Sequence, residues 1–83
     1  MVIFMKEINY PIDYDMFTTT EIVKIINFYN LILKADKYSD EVIKKAYQEY
    51  RNIINSIALE KRYDALFFKE TGVSIYRTVH RNQ

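Results

Sequence analysis

Residues 18–34 read TTTEIVKIINFYNLILK, and the fold class turns on them. Thr18 followed three positions later by Glu21 is a capping box: the hydroxyl accepts an otherwise orphaned first-turn N–H, and the carboxylate reaches back to the cap's own N–H. Beyond it Ile22, Ile25, Ile26, Tyr29, Ile32 and Leu33 recur at helical spacing, and Val23, Phe28 and Leu31 widen the apolar face. Lys24, Asn27, Asn30 and Lys34 alone make a polar stripe. A helix this apolar has to be covered on most sides, which predicts a central helix from Thr19 to about Ala35.

Toward the C-terminus the same punctuation repeats. Asp36-Lys37-Tyr38 reads as a short connection, and Ser39 as an N-cap with Asp40 and Glu41 in the first turn, where the helix dipole favours anions. Ile43, Ala46, Tyr47, Tyr50, Ile53 and Ile54 form the buried stripe of this second helix. Asn55-Ser56 interrupts the pattern, and Ser56 caps a third helix over 57–71 with Leu59, Tyr63, Leu66 and Phe67 on one side. Gly72 is its left-handed terminator, and Ser74 caps a short fourth helix from Ile75 to about Arg81, with Ile75, Tyr76 and Val79 as its apolar contacts. All three serines of the chain thus fall in cap positions. Connections of two to four residues set sequential helices side by side, roughly antiparallel.

Toward the N-terminus residues 1–17 lack helical periodicity. Proline disfavours a helical conformation in the residue before it, so Tyr10-Pro11 predicts an extended arm lying on the helices, anchored by Tyr10, Ile12, Tyr14 or Phe17. The expected architecture is all-α in a single domain over 1–83: three main helices, a short fourth, and an extended arm over 1–17. One Gly and one Pro leave little material for tight turns and argue against a β-sandwich.

Composition narrows function by exclusion. A net charge of +1 exerts no long-range pull on nucleic acid or an anionic membrane. Without cysteine there is no disulfide framework, zinc-thiolate site or thiol nucleophile. The apolar run Met1–Met5 is shorter than a signal-peptide core, and no window approaches the ~20 apolar residues of a membrane helix. These features predict a cytoplasmic protein with no membrane association. Ile, Lys, Tyr and Asn supply 34 of 83 residues. All four have AT-rich codons, so eight tyrosines do not by themselves mark a binding face.

Candidate chemistry is sparse. His80, the only histidine, has no carboxylate or second histidine at helical spacing and reads as a solvated residue near the C-terminus. Asp13-Tyr14-Asp15, with Glu21 behind it, has neither a calcium-loop glycine nor a third ligand at fixed spacing, and pre-helix acids are explained by the helix dipole. With the serines engaged as caps and no glycine-rich loop, no catalytic, metal or cofactor residue is assigned, and a non-enzymatic protein is expected. Phe67-Phe68 is more informative: adjacent helix positions point about 100° apart, so a buried Phe67 leaves Phe68 at the core's margin, under the arm, the fourth helix or a partner.

Several runs resemble the YktA-like family, an uncharacterised protein family (0223) of Gram-positive bacteria. Tyr10-Pro11-Ile12-Asp13-Tyr14 is similar to its opening, and Phe17-Thr18-Thr19-Thr20-Glu21-Ile22 to its first helix start. Phe28-Tyr29 and Tyr47-x-x-Tyr50-Arg51-x-Ile53-Ile54 resemble its aromatic patterns. Ser56-x-Ala58-x-Glu60-Lys61 and Gly72-Val73-Ser74-Ile75-Tyr76-Arg77 follow its remaining signatures. The resemblance spans about residues 8–80. It implies a compact helical bundle and no activity. Met16 is an extra residue relative to that pattern, Phe17 stands where tryptophan is usual, Asn55 replaces a proline and so leaves its turn less rigid, and Phe68 replaces a polar residue.

With function itself unknown, the functional expectation is an interaction module for an unidentified protein partner. Tyr76 and Arg77 are the leading contact pair, backed by Tyr10, Pro11 and Phe68, because Tyr and Arg are enriched among interface residues that dominate binding. The competing readings are nucleic-acid binding through the basic C-terminal helix (Arg77, His80, Arg81) with Lys61 and Arg62, and homodimerisation through Phe68 and neighbouring tyrosines.

Overall fold

A computed structural model of the chain describes residues 9–81. The part of the expected arm over 1–8 lies outside the described residues. Four α-helices and one 3₁₀ turn follow in order, with no strand among the described residues: α1 (Thr19–Leu33), the turn Ala35–Lys37, α2 (Asp40–Ile54), α3 (Ile57–Thr71) and α4 (Ile75–Val79). Every helix start is the one its cap dictates. The Thr18 hydroxyl accepts the Glu21 N–H at 3.2 Å while the Glu21 carboxylate accepts the Thr18 N–H at 2.9 Å. The Ser39, Ser56 and Ser74 hydroxyls accept the N–H groups of Val42, Leu59 and Arg77 at 3.2–3.3 Å.

Helix ends differ more. α1 stops at Leu33, two residues before the expected limit, and the connection winds into the 3₁₀ turn, burying Ala35. α4 stops at Val79, and Arg81 turns back toward the body of the protein. α3 ends at Gly72 with φ 76°, the left-handed conformation expected of it. α2 ends at Asn55, also left-handed with φ 49° and ψ 36°. Proline, locked near φ −65°, cannot adopt that conformation. The α2–α3 turn is therefore a distinct left-handed turn, which asparagine tolerates better than most residues, rather than a loosened proline turn.

The core is aromatic. α1 packs along α2, and α4 sits against both α2 and α3. Phe28 and Tyr29 divide α1 between its neighbours: Phe28 stacks on Tyr50 of α2 with centroids 4.4 Å apart, and Tyr29 stacks on Phe67 of α3 at 5.0 Å. Ile25, Ile32, Ile43, Ile54, Tyr63, Ile75 and Val79 complete the buried cluster. At about 1.5–3 kcal/mol for each large apolar side chain withdrawn from water, this cluster is the main source of stability.

The arm is strapped down by hydroxyl groups. Tyr10 lies against Tyr29 and Phe67, and its hydroxyl donates to the Asn30 side-chain oxygen. The Tyr29 hydroxyl donates to the Pro11 carbonyl at 2.9 Å. The Tyr63 hydroxyl accepts the Asp13 N–H at 3.0 Å. Ile12 and Phe17 pack on the core, whereas Tyr14 is exposed in the turn that follows. That turn explains the paired aspartates: Asp13 accepts the Asp15 N–H through its side chain and the Met16 N–H through its carbonyl. No group of three or more His, Cys, Asp or Glu residues converges as a metal site among the described residues.

Two apolar residues expected on covered helix faces are not covered: Leu66 is 41% exposed and Val23 is half exposed. Tyr76, the leading contact candidate, is exposed. α3 meets its neighbours along a narrow stripe, Leu59, Tyr63 and Phe67, spaced four residues apart, and Leu66 falls outside it. Periodicity shows that residues share a face; the width of the covered face is set by the neighbours.

Candidate interaction surface

α4 is short, but it separates two depressions and contributes to both. On one side a groove of about 370 Å³ is lined by Ala35, Phe68, Gly72, Ser74, Arg77, Thr78 and Arg81. Phe68 is 52% exposed, leaving a phenyl ring at the surface. Arg77 is exposed and makes no ion pair among the described residues. The lining carries two arginines and no carboxylate. Phe68 and Arg77, far apart in sequence-based reasoning, thus meet in one groove.

Arg81, at the groove's edge, has a different task. Its Nε pairs with Asp40 at 2.7 Å, and its two terminal nitrogens donate to the Ala35 and Tyr38 carbonyls at 3.1 and 2.9 Å. A planar guanidinium is suited to such a fan of acceptors. It gives the Ala35 carbonyl, which already accepts the Tyr38 N–H, a second donor, and it ties the C-terminal segment to the α1–α2 connection. Of the expected basic stripe, Arg81 is therefore a clamp.

On the other side of α4 a cleft of about 280 Å³ opens between α2, α3 and α4. Its rim carries Ile57, 66% exposed, and Tyr76, 60% exposed. The rest of its lining is Tyr47, Arg51, Glu60, Lys61, Asp64 and His80. The Tyr47 hydroxyl donates to one Glu60 oxygen, and Arg51 Nε pairs with the other at 3.2 Å while its guanidinium lies 5.6 Å from the Tyr47 ring centre. Burial and then the bond to Glu60 push the Tyr47 hydroxyl well above the ordinary tyrosine value, so it holds its proton and stays a donor. Asp64, one turn beyond Glu60, accepts the Ile75 N–H at 3.1 Å through Oδ1. It makes no ion pair among the described residues.

His80 belongs to this cleft rather than to open solvent. Its ring lies 4.4 Å from the Tyr76 ring and 6.2 Å, edge-on, from that of Tyr47. Its Nδ1 is shielded from solvent and has no hydrogen-bond partner among the described residues. A wider depression of about 670 Å³ continues from the cleft past the α2–α3 turn; its additional lining, Gln48, Asn52, Asn55 and Ser56, is uncharged.

The expected contact residues are therefore distributed. Phe68 and Arg77 share the groove, and Tyr76 stands at the rim of the cleft. Tyr10 and Pro11 belong to the strap: Pro11 is buried and its carbonyl is taken by Tyr29, and Tyr10 is half-buried with its hydroxyl bonded to Asn30. Asp64 was not singled out from sequence, Glu60 entered only through the family resemblance, and Tyr47 was expected in the buried stripe of α2. The available signal was the four-residue spacing of Glu60 and Asp64, which puts both carboxylates on one helix face.

Fold and surface together define a small helical bundle with an aromatic core, an arm strapped across it, and a short last helix between two surface depressions. The chain belongs to the uncharacterised protein family UPF0223, whose profile matches residues 7–83. It is 33% identical over 79 residues to the UPF0223 protein of Bacillus cytotoxicus, covering 93% of this chain and 88% of that one. To the UPF0223 protein of Enterococcus faecalis it is 34% identical, covering 93% and 85%. To that of Bacillus pumilus it is 39% identical over 77 residues, covering 88% and 83%. No solved structure matches the chain. No helix of the described residues is long and apolar enough to cross a membrane.

Proposed function

We propose that this protein is a non-enzymatic interaction module of the cytoplasm that docks a protein partner against α4 and the flank of α3. The observation that carries the reading is the groove joining a half-exposed Phe68 to an unpaired Arg77, in a lining with no acidic residue. An aromatic ring beside a free guanidinium suits a partner segment that offers an apolar side chain next to a carboxylate. The serine hydroxyls are engaged in caps, which favours a binding role over nucleophilic chemistry. Against a nucleic-acid interface stands the diversion of Arg81 into the clamp and of His80 into the cleft, leaving Arg77, Lys61 and Arg62 without a continuous basic stripe.

The test is affinity capture from native cytosolic lysate, with and without nuclease, using wild type and a Phe68→Ser/Arg77→Ala variant of unchanged helicity. A nuclease-resistant protein retained by wild type and lost from the variant is the expected result. Loss on nuclease treatment would transfer the assignment to nucleic acid, and identical capture by the folded variant would remove the groove from the interface. Sedimentation at rising concentration checks the remaining occupant, a second copy of this chain.

A further inference from the structure

We infer that the cleft between α2, α3 and α4 is a seat for a cationic side chain, the guanidinium or ammonium group of an arginine or lysine presented by a partner protein. The inference rests on the reading of α4 as a protein-facing surface and specifies the partner's chemistry on its second side. Glu60 and Asp64 project from one face of α3, but they are not equivalent. Glu60 is neutralised by Arg51 and bonded by Tyr47. Asp64 has no cation of its own among the described residues and commits one oxygen, Oδ1, to the Ile75 amide.

Beside Asp64 the cleft is lined by aromatic rings: Tyr47, and the pair His80 and Tyr76, whose tilted rings lie 4.4 Å apart. A cation held between a carboxylate and the faces of tyrosine rings gains from both, and the partial exclusion of water strengthens each attraction. The Arg51 guanidinium beside Tyr47 and Glu60 is an internal instance of this arrangement at the cleft's mouth. Asp64 offers a second, vacant seat. The hydrocarbon stem of an incoming lysine or arginine would pass the exposed Ile57 and Tyr76 at the rim, as such stems do on apolar surfaces. Lys61 also lines the cleft and makes no ion pair among the described residues; it is the competitor a partner's cation has to displace.

The experiment uses the whole chain and three capped tripeptides, glycine-arginine-glycine, glycine-glutamate-glycine and triglycine, titrated to millimolar concentrations at low ionic strength. Backbone amide and His80 ring shifts are followed by NMR. The arginine peptide should give saturable shifts centred on Asp64, Tyr76 and His80, and the other two should not. Asp64→Asn keeps an oxygen for the Ile75 amide but removes the charge, and should weaken binding by at least about fivefold. Tyr76→Ala, a surface change, should also weaken it, whereas Lys61→Gln should tighten it. Absence of saturable shifts, equal affinity in Asp64→Asn, or tighter binding of the glutamate peptide would overturn the proposal. The lysate capture depends on Phe68 and Arg77 instead, so failure of the cation seat and failure of the docking groove are separately visible.

Discussion

Replacing Tyr29 with phenylalanine removes one oxygen atom and strands two polar groups. The Tyr29 hydroxyl donates to the Pro11 carbonyl at 2.9 Å and lies 3.0 Å from the Tyr50 hydroxyl. With its single proton committed to Pro11, Tyr29 can only accept from Tyr50. The chain of donors therefore runs from Tyr50 to Tyr29 to Pro11, and the two tyrosines, although symmetric in distance, are not interchangeable. Tyr29→Phe leaves the Tyr50 O–H without an acceptor and the Pro11 carbonyl without a donor. Each buried unsatisfied group costs about 1–3 kcal/mol, so the two together should cost about 2–6 kcal/mol. Tyr50→Phe leaves only the acceptor side of Tyr29 empty and should cost about 1 kcal/mol. The double variant strands the Pro11 carbonyl alone and should be no less stable than Tyr29→Phe.

These losses are large against a total stability of about 4–12 kcal/mol for a chain of this length. Urea unfolding followed by circular dichroism on wild type, both single variants and the double variant closes the cycle. Unchanged slopes would show that the midpoint shifts report native-state stability. If Tyr50→Phe costs as much as Tyr29→Phe, or the two losses simply add, the proton order is wrong and the arm is not held through Tyr29. Amide exchange gives an independent reading: Tyr29→Phe should accelerate exchange at Asp13, whose N–H is held at the adjoining point of the strap by Tyr63.

The strap also sets an alkaline limit. Burial pushes the Tyr29 hydroxyl far above its ordinary value of 10.0, with Tyr50 adding to the shift, and burial likewise raises Tyr50. Both folded-state values exceed the unfolded one, so above pH 10 the unfolded chain releases protons that the folded chain retains. Stability is then intact below about pH 10 and falls above it, by up to about 1.4 kcal/mol per pH unit for each such group. In Tyr14→Phe/Tyr38→Phe/Tyr76→Phe, which lacks the exposed phenols, the last rise in tyrosinate absorbance should coincide with loss of helicity, and its completion in a chain that keeps its helicity would contradict the assignment. At Asn55, glycine should stabilise by up to about 1 kcal/mol and alanine destabilise by a similar amount, because the left-handed conformation penalises a Cβ; a stability ranking of alanine above glycine in urea would refute it. Arg81→Ala should lose about 1–2 kcal/mol by releasing two carbonyls and Asp40, reduced because the pair is partly exposed. Arg81→Lys should recover less than half of that midpoint shift, since one ammonium cannot reproduce the fan of three acceptors.

Local structure was legible in the chain because its determinants are local. The capping box at Thr18 and Glu21, the serines at 39, 56 and 74, and Gly72 each act within a few residues of where they stand, and each helix start follows from them. The aromatic core was legible as a set of residues, since Tyr29, Tyr50, Tyr63 and Phe67 recur at helical spacing. Its hydroxyl partners were not. The bonds from Tyr29 to Pro11 and from Asp13 to Tyr63 join positions 18 and 50 residues apart, and nothing within a helical period indicates which distant backbone group a hydroxyl will meet.

The same distinction separates the candidate surface from the core. Phe68 was legible as marginal because Phe67 had to be buried, and one helix cannot bury both adjacent rings with neighbours on one side only. Leu66 was misplaced because periodicity assumes a wide covered face, whereas α3 is covered only along the stripe of Leu59, Tyr63 and Phe67. Arg81 shows the converse. At a helix end a basic residue reads as a response to the helix dipole, yet here the side chain spans 46 residues of sequence to close the Ala35 carbonyl. Once Arg81 is withdrawn into that clamp, Arg77 is the cation left unpaired beside Phe68. Asp64, behind α4, is a carboxylate that has no cation in the described structure. A partner carrying an acidic residue on one side of α4 and a basic one on the other would satisfy both, while a polyanion such as nucleic acid would satisfy only the first.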